Sequence, residues 1–243
     1  MKASGAEFDA YAANYDGGAD GPLKRLLGDE KAFLDLKVRW LVNFIEQREK
    51  KDTEPLNVLD LGCGTGLMLA LWHAKRPQDV LSGADVSRAM LDEAARRWSA
   101  TRPVDFRLLQ SDVLPWEPQS FDLIIISCVL HHIKPENRDS FFRVSFQLMK
   151  PGGTVCIFEH NPRNALVRYV VRHTKIDQHA ILLAAEETAE RARRIGYLQV
   201  RTNFILFFPP SIKTLSKLER LFAAIPLGGQ YAVTATRPCE TGT

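Results

Sequence analysis

The chain alternates short apolar runs with stretches of helical periodicity, and this alternation limits the folds open to it. The apolar runs predict strands at residues 56–61, 80–86, 104–110, 121–128 and 154–159. A period near 3.6 predicts helices between them, at residues 65–75, 87–99 and 137–149. Strands and helices that alternate in this way form a parallel sheet covered on both faces.

Residues with capping and breaking properties set several boundaries. Ser87 is a typical N-cap for the second of these helices, and Pro151, Gly152 and Gly153 are expected to end the third helix before the next strand. The flanking segments predict helices at residues 32–48, 188–195 and 215–224 and strands at residues 198–208 and 230–237. Residues 161–185 exceed a usual connection of about two to six residues, so we expect them to form a functional cover.

Composition excludes several classes of protein. The 243 residues are 45% hydrophobic, enough for one sizeable core, and no apolar run is long enough to span a bilayer. We therefore expect one soluble, cytoplasmic domain with no membrane span. The four cysteines lack CxxC spacing, which predicts reduced thiols and no metal site. A net charge of +3 without a basic stripe does not indicate a nucleic-acid partner.

Three glycines at alternate positions follow the first strand, in VLDLGCGTG at residues 58–66. Glycine permits a tight turn and a close approach of a ligand to bare backbone. The spacing is G-x-G-x-G, whereas the dinucleotide fingerprint G-x-G-x-x-G would place its third glycine at Leu67, which disfavours NAD or FAD. The next strand ends in Asp85, whose carboxylate can accept hydrogen bonds from both hydroxyls of a ribose, so a nucleoside is indicated.

Five motifs occur in order and in register: VLDLGCGTG, GADVSRAML, SDVLPW, FDLIIISCVLHHI and LMKPGG. Together they resemble the class I S-adenosylmethionine-dependent methyltransferases over about residues 56–159. The stretch YAANYD at residues 11–16 is similar to the start of small-molecule members (methyltransferase type 11/12-like), in which an N-terminal helix closes over the cofactor. The resemblance implies a Rossmann-like α/β fold: a seven-stranded, mostly parallel sheet with helices on both faces and a C-terminal antiparallel strand pair.

The resemblance also implies an organisation of the chain. A single methyltransferase domain would cover residues 1–243, with cofactor-covering helices in residues 1–50 and a cofactor-binding core in residues 56–160. Residues 161–185 and 209–226 would be insertions that cover the substrate. The cofactor would be S-adenosyl-L-methionine, which leaves as S-adenosyl-L-homocysteine.

Roles for individual residues follow from the same motifs. Asp60 would bind the amine of the cofactor, Asp85 its ribose and Asp112 its adenine amine. The other expected cofactor-binding residues are Tyr15, Gly62, Cys63, Gly64 and Gly66 at the methionine side, Val86, Met90 and Val113 around the adenine, and Ser127 and Cys128 beside the methionine part.

Methyl transfer from a sulfonium is an in-line displacement for which the protein mainly supplies alignment and a dry site. A base is optional, and His160 and His132 are the catalytic candidates because both follow strand ends. Adjacent residues of an extended chain face opposite ways, so at most one of His131 and His132 is expected to face the substrate. Tyr11, His131, Glu159 and Arg168 are the expected substrate-binding residues.

Three other functions stay open. A nucleic-acid methyltransferase is disfavoured because Ser127-Cys128-Val129-Leu130 stands where base-amine methylating members carry an acid or Asn, Pro-Pro and an aromatic residue. A catalytically inactive cofactor-binding subunit is also compatible with these motifs, and an oxidoreductase is more distant. The acceptor atom, oxygen, nitrogen or carbon, and the oligomeric state are not specified by the sequence.

Overall fold

The structure is a computed structural model that describes residues 8–12, 30–48, 54–98, 103–110, 114–208 and 219–239. Its helices are α1 (Glu30–Arg48), α2 (Leu67–His73), α3 (Arg88–Arg97), α4 (Arg138–Leu148), α5 (Ala165–His173), α6 (Ala185–Ile195) and α7 (Glu219–Phe222). Its strands are β1 (Asn57–Leu61), β2 (Val80–Asp85), β3 (Asp105–Leu108), β4 (Phe121–Ser127), β5 (Met149–His160), β6 (Leu198–Ile205) and β7 (Gln230–Thr236).

The seven strands form one sheet in the order β3-β2-β1-β4-β5-β7-β6. Strands β1 to β5 pair in parallel, whereas β7 pairs antiparallel with both β5 and β6. The predicted fold class is confirmed, including the antiparallel C-terminal pair. The strand order reverses between β1 and β4, so a crevice for ligands lies at their carboxyl ends.

Alternate residues of the strands supply two separate apolar cores. Leu123 and Ile125 of β4 face a cluster with α1 and α2, in which Leu41 and Trp72 are fully buried. Ile124 and Ile126 face the other cluster, which includes residues of α4 and α6. This period-two division between opposite faces is what a central strand buried on both sides requires.

Most predicted elements lie where expected, with ends shifted by a few residues. The predicted cap at Ser87 is confirmed, since its hydroxyl accepts a hydrogen bond from Met90 N at 3.1 Å. The cover predicted over residues 161–185 contains α5 and a 3₁₀ turn, Lys175–Asp177. Residues 209–218 of the second predicted insertion lie outside the described part of the chain.

The expected break at Pro151-Gly152-Gly153 is wrong in one respect. Strand β5 begins at Met149, directly after α4, and includes all three residues. Gly152 has a φ of 78°, and its N–H donates to Arg237 O at 3.0 Å, while Arg237 N donates to Gly153 O at 3.0 Å. A glycine with positive φ lets the strand bend and continue its pairing, as in a β-bulge.

Among the described helices, none combines the length and the apolar character that crossing a membrane requires.

Candidate functional site

The glycine turn after β1 lies at the crevice. Gly62, Gly64 and Gly66 have φ values of 91°, 50° and 72°, in the left-handed region. A Cβ added at Gly62 would lie 2.4 Å from a methyl carbon of Val129, whereas one added at Gly64 would meet no described atom within 4 Å. The turn therefore packs tightly at Gly62 and leaves bare backbone beside open space at Gly64.

A cavity of about 110 Å³ lies against this turn. Its wall includes seven of the residues predicted to bind the cofactor, namely Gly62, Gly64, Asp85, Val86, Met90, Ser127 and Cys128. Phe8, Leu109, Val129 and Phe141 add apolar surface. We call this the cofactor-side cavity.

Asp85 is held at the end of β2 by two backbone donors. Its Oδ2 accepts from Gly64 N and its Oδ1 from Ser87 N, both at 2.9 Å. Burial raises the pKa of Asp85, although these hydrogen bonds oppose the rise. Each carboxylate oxygen can accept a further hydrogen bond, so Asp85 is oriented toward the cavity without being saturated.

Asp60 is fully buried near the end of β1 and does not line the cofactor-side cavity. Burial and the nearby Asp85 raise the pKa of Asp60 to about 7, against the opposing effect of Lys37. Its Oδ1 is buried and has no hydrogen-bond partner among the described residues. Such an oxygen is costly to leave unpaired and suits a donor that a bound ligand supplies.

The other predicted cofactor residues lie elsewhere. The side chain of Cys63 packs in the apolar core beside α1 and α2, and burial raises the pKa of its thiol. A Cβ at Gly66 would meet Ala94, Phe106 and Trp98, and Gly66 is the N-cap of α2. Neither residue lines the cofactor-side cavity, and the backbone N–H groups of both are hydrogen-bonded within the protein. Tyr15, Asp112 and Val113 lie outside the described residues.

A second cavity of about 260 Å³ adjoins the first and shares Ser127, Cys128, His132 and Ile176 with it. Most of its wall is apolar: Phe33, Leu34, Leu166, Val167, Val170, Val171, Leu206, Phe207 and Phe208. Its polar side chains include Lys37, His131, His160, Asp177 and Gln230. We call this the acceptor-side cavity.

Glu159 and His131 form a buried pair at the acceptor-side cavity. Glu159 is fully buried; its Oε1 accepts from Val129 N at 2.9 Å and Leu130 N at 2.6 Å, and its Oε2 lies 2.6 Å from His131 Nδ1. Burial alone would lower the pKa of His131, but Glu159 and Asp177 outweigh it and raise that pKa. Glu159 does not line the cavity itself, so it acts on a ligand through His131.

The expectation that at most one of His131 and His132 faces the substrate rested on an extended chain, which the structure does not have at these residues. Leu130–His132 is a 3₁₀ turn rather than extended chain, and both imidazoles line the acceptor-side cavity, with ring centroids 4.1 Å apart. His131 Nε2 and His132 Nε2 each lie 3.4 Å from Asp177 Oδ1. Burial and the charge of His131 lower the pKa of His132 to about 4.

His160, at the end of β5, also lines the acceptor-side cavity. Its Nδ1 lies 3.3 Å from Gln230 Nε2, and its ring centroid lies 5.1 Å from that of His131. Cys128 lies nearby, with its Sγ 3.2 Å from Lys37 Nζ. Burial would raise the pKa of the Cys128 thiol, but Lys37 and His160 outweigh it and lower that pKa to about 6.

Two predicted substrate residues line neither cavity. Arg168 is exposed on α5, and its Nη1 donates to Pro162 O at 2.8 Å. The hydroxyl of Tyr11 lies 3.5 Å from Lys175 O, so this contact joins residues 8–12 to the 3₁₀ turn Lys175–Asp177. In this structure both side chains contact other parts of the chain instead of lining a cavity.

Lys37 and Asp177 are functional candidates that the sequence analysis missed. Lys37 is buried in α1, and its Nζ donates to Ser127 Oγ at 3.0 Å. A detectable signal existed, since Lys37 occupies the apolar stripe that continues at Leu41 and Ile45. Asp177 carried no such signal, because only the folding of the cover brings it to the histidines.

These features fit S-adenosylmethionine. The bare backbone at Gly64 leaves space for a ligand to approach closely, and the unpaired Oδ1 of Asp60 suits an ammonium donor. Asp85 and the apolar side chains of Val86 and Met90 share one cavity, as a nucleoside with hydroxyls and a planar base requires.

Residues 58–153 match the model of a methyltransferase domain. A ubiquinone/menaquinone biosynthesis C-methyltransferase from Desulfotalea psychrophila is 29% identical over 136 residues, 54% of each chain. A carboxy-S-adenosyl-L-methionine synthase from Campylobacter hominis is 32% identical over 107 residues, 44% of this chain and 45% of the relative. The chain thus spans about half the length of the curated relatives it matches.

Solved structures extend the fold comparison to most of the chain. A methyltransferase from Archaeoglobus fulgidus that depends on S-adenosylmethionine covers 88% of this chain and 97% of its own, with a TM-score of 0.64 and 17% identity. At that identity the match establishes the fold. Residues 58–153 therefore match a methyltransferase domain, and the chain shares the fold of methyltransferases that depend on S-adenosylmethionine.

Proposed function

We propose that this protein transfers a methyl group from S-adenosylmethionine to a small molecule with a largely apolar body and a polar acceptor end. The observation that carries this proposal is the junction of the two cavities. Ser127, Cys128, His132 and Ile176 line both, so a cofactor on one side and an acceptor on the other would meet there. Alignment across such a junction is the main requirement of an in-line displacement.

On the cofactor side, the proposed roles follow from position. Asp60 would bind the amine, Asp85 the ribose hydroxyls, and Val86 and Met90 the adenine. When bound, S-adenosylmethionine supplies an electrophilic methyl group on a sulfonium. The glycines at 62 and 64 would let the methionine end lie close to the backbone, which would keep the reacting centre near the junction.

On the acceptor side, the apolar wall favours a hydrophobic body and excludes water from the junction. His160 and His132 are the proposed catalytic residues, since each lines this cavity and can accept a proton from an acceptor hydroxyl or amine. His131, held by Glu159, would bind the polar end of the acceptor.

The named relatives support a small-molecule acceptor. The Desulfotalea psychrophila protein is named for ubiquinone and menaquinone biosynthesis and for methylation at carbon. Carbon, oxygen and nitrogen acceptors are each compatible with the proposal, because a base is needed only where the acceptor carries a proton that must leave.

The test is incubation with cofactor labelled in the methyl group and a panel of acceptors. The panel contains apolar phenols, quinols, amines and carboxylic acids of increasing size, together with total RNA and DNA. We expect label in one of the apolar small molecules. Label in nucleic acid would instead support the alternative of a nucleic-acid methyltransferase, and cofactor binding without transfer to any acceptor would support an inactive regulatory subunit.

A further inference from the structure

Three side chains with metal-ligating atoms converge at the acceptor-side cavity. His131 comes from the turn after β4, His160 from the end of β5 and Asp177 from the 3₁₀ turn after α5, and one ligand atom of each lies within 4.8 Å of the other two. We propose that they bind a divalent first-row transition-metal cation of the Zn²⁺ type.

The distances suit such an ion. Zn²⁺ bonds of about 2.0–2.2 Å in a tetrahedral site place neighbouring ligand atoms about 3.4 Å apart. His131 Nε2 and Asp177 Oδ1 already lie 3.4 Å apart. The remaining separations are at most 4.8 Å, so they need a contraction of up to about 1.4 Å, which rotation of the His160 and Asp177 side chains can supply.

The surroundings of His131 resemble the outer shell of a metal site. Metal-ligating histidines usually donate their second ring N–H to a carboxylate, which fixes the orientation of the ring. Glu159 fills this role: it is fully buried, accepts two backbone N–H groups and lies 2.6 Å from His131 Nδ1. This arrangement leaves His131 Nε2 facing Asp177.

The local charge also favours a divalent cation. Glu159 and Asp177 together carry two negative charges when ionised, which would balance the ion. Binding would replace the proton on His131 Nε2 with the metal and release that proton to solvent. Two imidazoles and one carboxylate are ligands that Zn²⁺, Co²⁺ and Fe²⁺ accept, whereas Mg²⁺ and Ca²⁺ prefer oxygen alone.

Three protein ligands leave a coordination position open toward the cavity, as in catalytic rather than structural zinc sites. If the proposed function holds, this position would bind an oxygen of the acceptor and lower the pKa of its hydroxyl. His131 and His160 would then act as ligands, and His132 would be the side chain that accepts the proton. The prediction of no metal site rested on cysteine spacing. Cysteine spacing gives no information about a set of two histidines and an aspartate that come from three separate elements.

The test is a titration of the metal-free, untagged protein with Co²⁺, in the absence of S-adenosylmethionine and acceptor. We expect one equivalent to produce the visible absorption bands of a four- or five-coordinate ion. Excess Zn²⁺ should abolish these bands, whereas excess Mg²⁺ should not. Because the titration measures metal binding alone, its outcome is independent of whether methyl transfer is found.

Variants decide which residues bind the ion. His160→Ala and Asp177→Asn should lose the bands, and Glu159→Gln should weaken Co²⁺ binding by about 10–100-fold. His73→Ala, on α2 and outside the cluster, is the matched histidine control and should bind as wild type. Absence of the bands in wild type would overturn the proposal, as would wild-type binding by Asp177→Asn, a substitution that preserves side-chain shape.

Discussion

Asp85 is proposed to bind the ribose of the cofactor, so removal of its carboxylate should weaken cofactor binding. Asp85→Ala deletes the acceptor for charged-group hydrogen bonds, which are worth about 1–3 kcal/mol, so the Kd for S-adenosylmethionine should rise roughly 5–150-fold. Isothermal titration measures this change. Asp92→Ala, on the exposed surface of α3, is the control. An unchanged Kd for Asp85→Ala would remove this residue from the binding site.

The buried Asp60 predicts a pH dependence of stability. Its pKa is raised to about 7, whereas in the unfolded chain it titrates near its ordinary value of 3.8. Between these values the folded state retains a proton that the unfolded state has lost, so the contribution of Asp60 to stability falls as pH rises and stays low above pH 7.

Asp60→Asn removes this penalty. The free energy of unfolding of the variant relative to wild type should therefore increase between about pH 4 and pH 7, by roughly 4 kcal/mol at most. Denaturant unfolding at several pH values measures the difference. A difference between Asp60→Asn and wild type that does not change with pH would contradict the raised pKa of Asp60.

At the scale of elements, α5 forms much of the wall of the acceptor-side cavity. Val170→Trp should fill part of this space, and a steric cost of about 1–3 kcal/mol would raise the acceptor KM roughly 5–150-fold. The Kd for S-adenosylmethionine should not change, because Val170 does not line the cofactor-side cavity. Arg172→Trp places the same side chain on an exposed position of α5. Equal effects of the two variants would argue against an acceptor at this wall.

The elements also show what could be predicted from the sequence. Local signals are strong where residue type and position agree, as for the cap at Ser87 and the apolar runs of β4. They fail where pairing decides the structure: β5 includes Gly152 and Gly153 because Arg237, which directly follows β7, supplies hydrogen-bond partners that the local sequence does not reveal. The 3₁₀ turn at Leu130–His132 could not be predicted for a similar reason. The N–H groups of Val129 and Leu130 donate to Glu159, which lies on the neighbouring strand β5 but is distant in sequence.

The residues of the candidate site also fall into two groups: those whose positions the local sequence predicts and those whose positions it does not. The glycine turn and Asp85 follow single strands, so their place at the crevice could be predicted once the sheet was recognised. Lys37 and Asp177 reach the site from α1 and the cover, and their positions depend on tertiary packing. Sequence patterns in one segment cannot report such a convergence.

For the whole molecule, cofactor binding should be visible as increased thermal stability. A ligand at 100 times its Kd that binds only the folded state stabilises it by about 2.7 kcal/mol. In a chain of this size, each kcal/mol raises Tm by about 2–4 °C, so saturating S-adenosylmethionine should raise Tm by about 5–10 °C. NAD is the control and should leave Tm unchanged. A shift with NAD and none with S-adenosylmethionine would contradict the proposed cofactor.

Part of the wall of the acceptor-side cavity lies between β5 and α6, both of which belong to the buried core through residues such as Ile157 and Ala189. Changes in the length or composition of this segment would therefore leave the sheet and the glycine turn in place. Such changes would alter the shape of the acceptor-side cavity without altering the part of the protein proposed to bind the methyl donor.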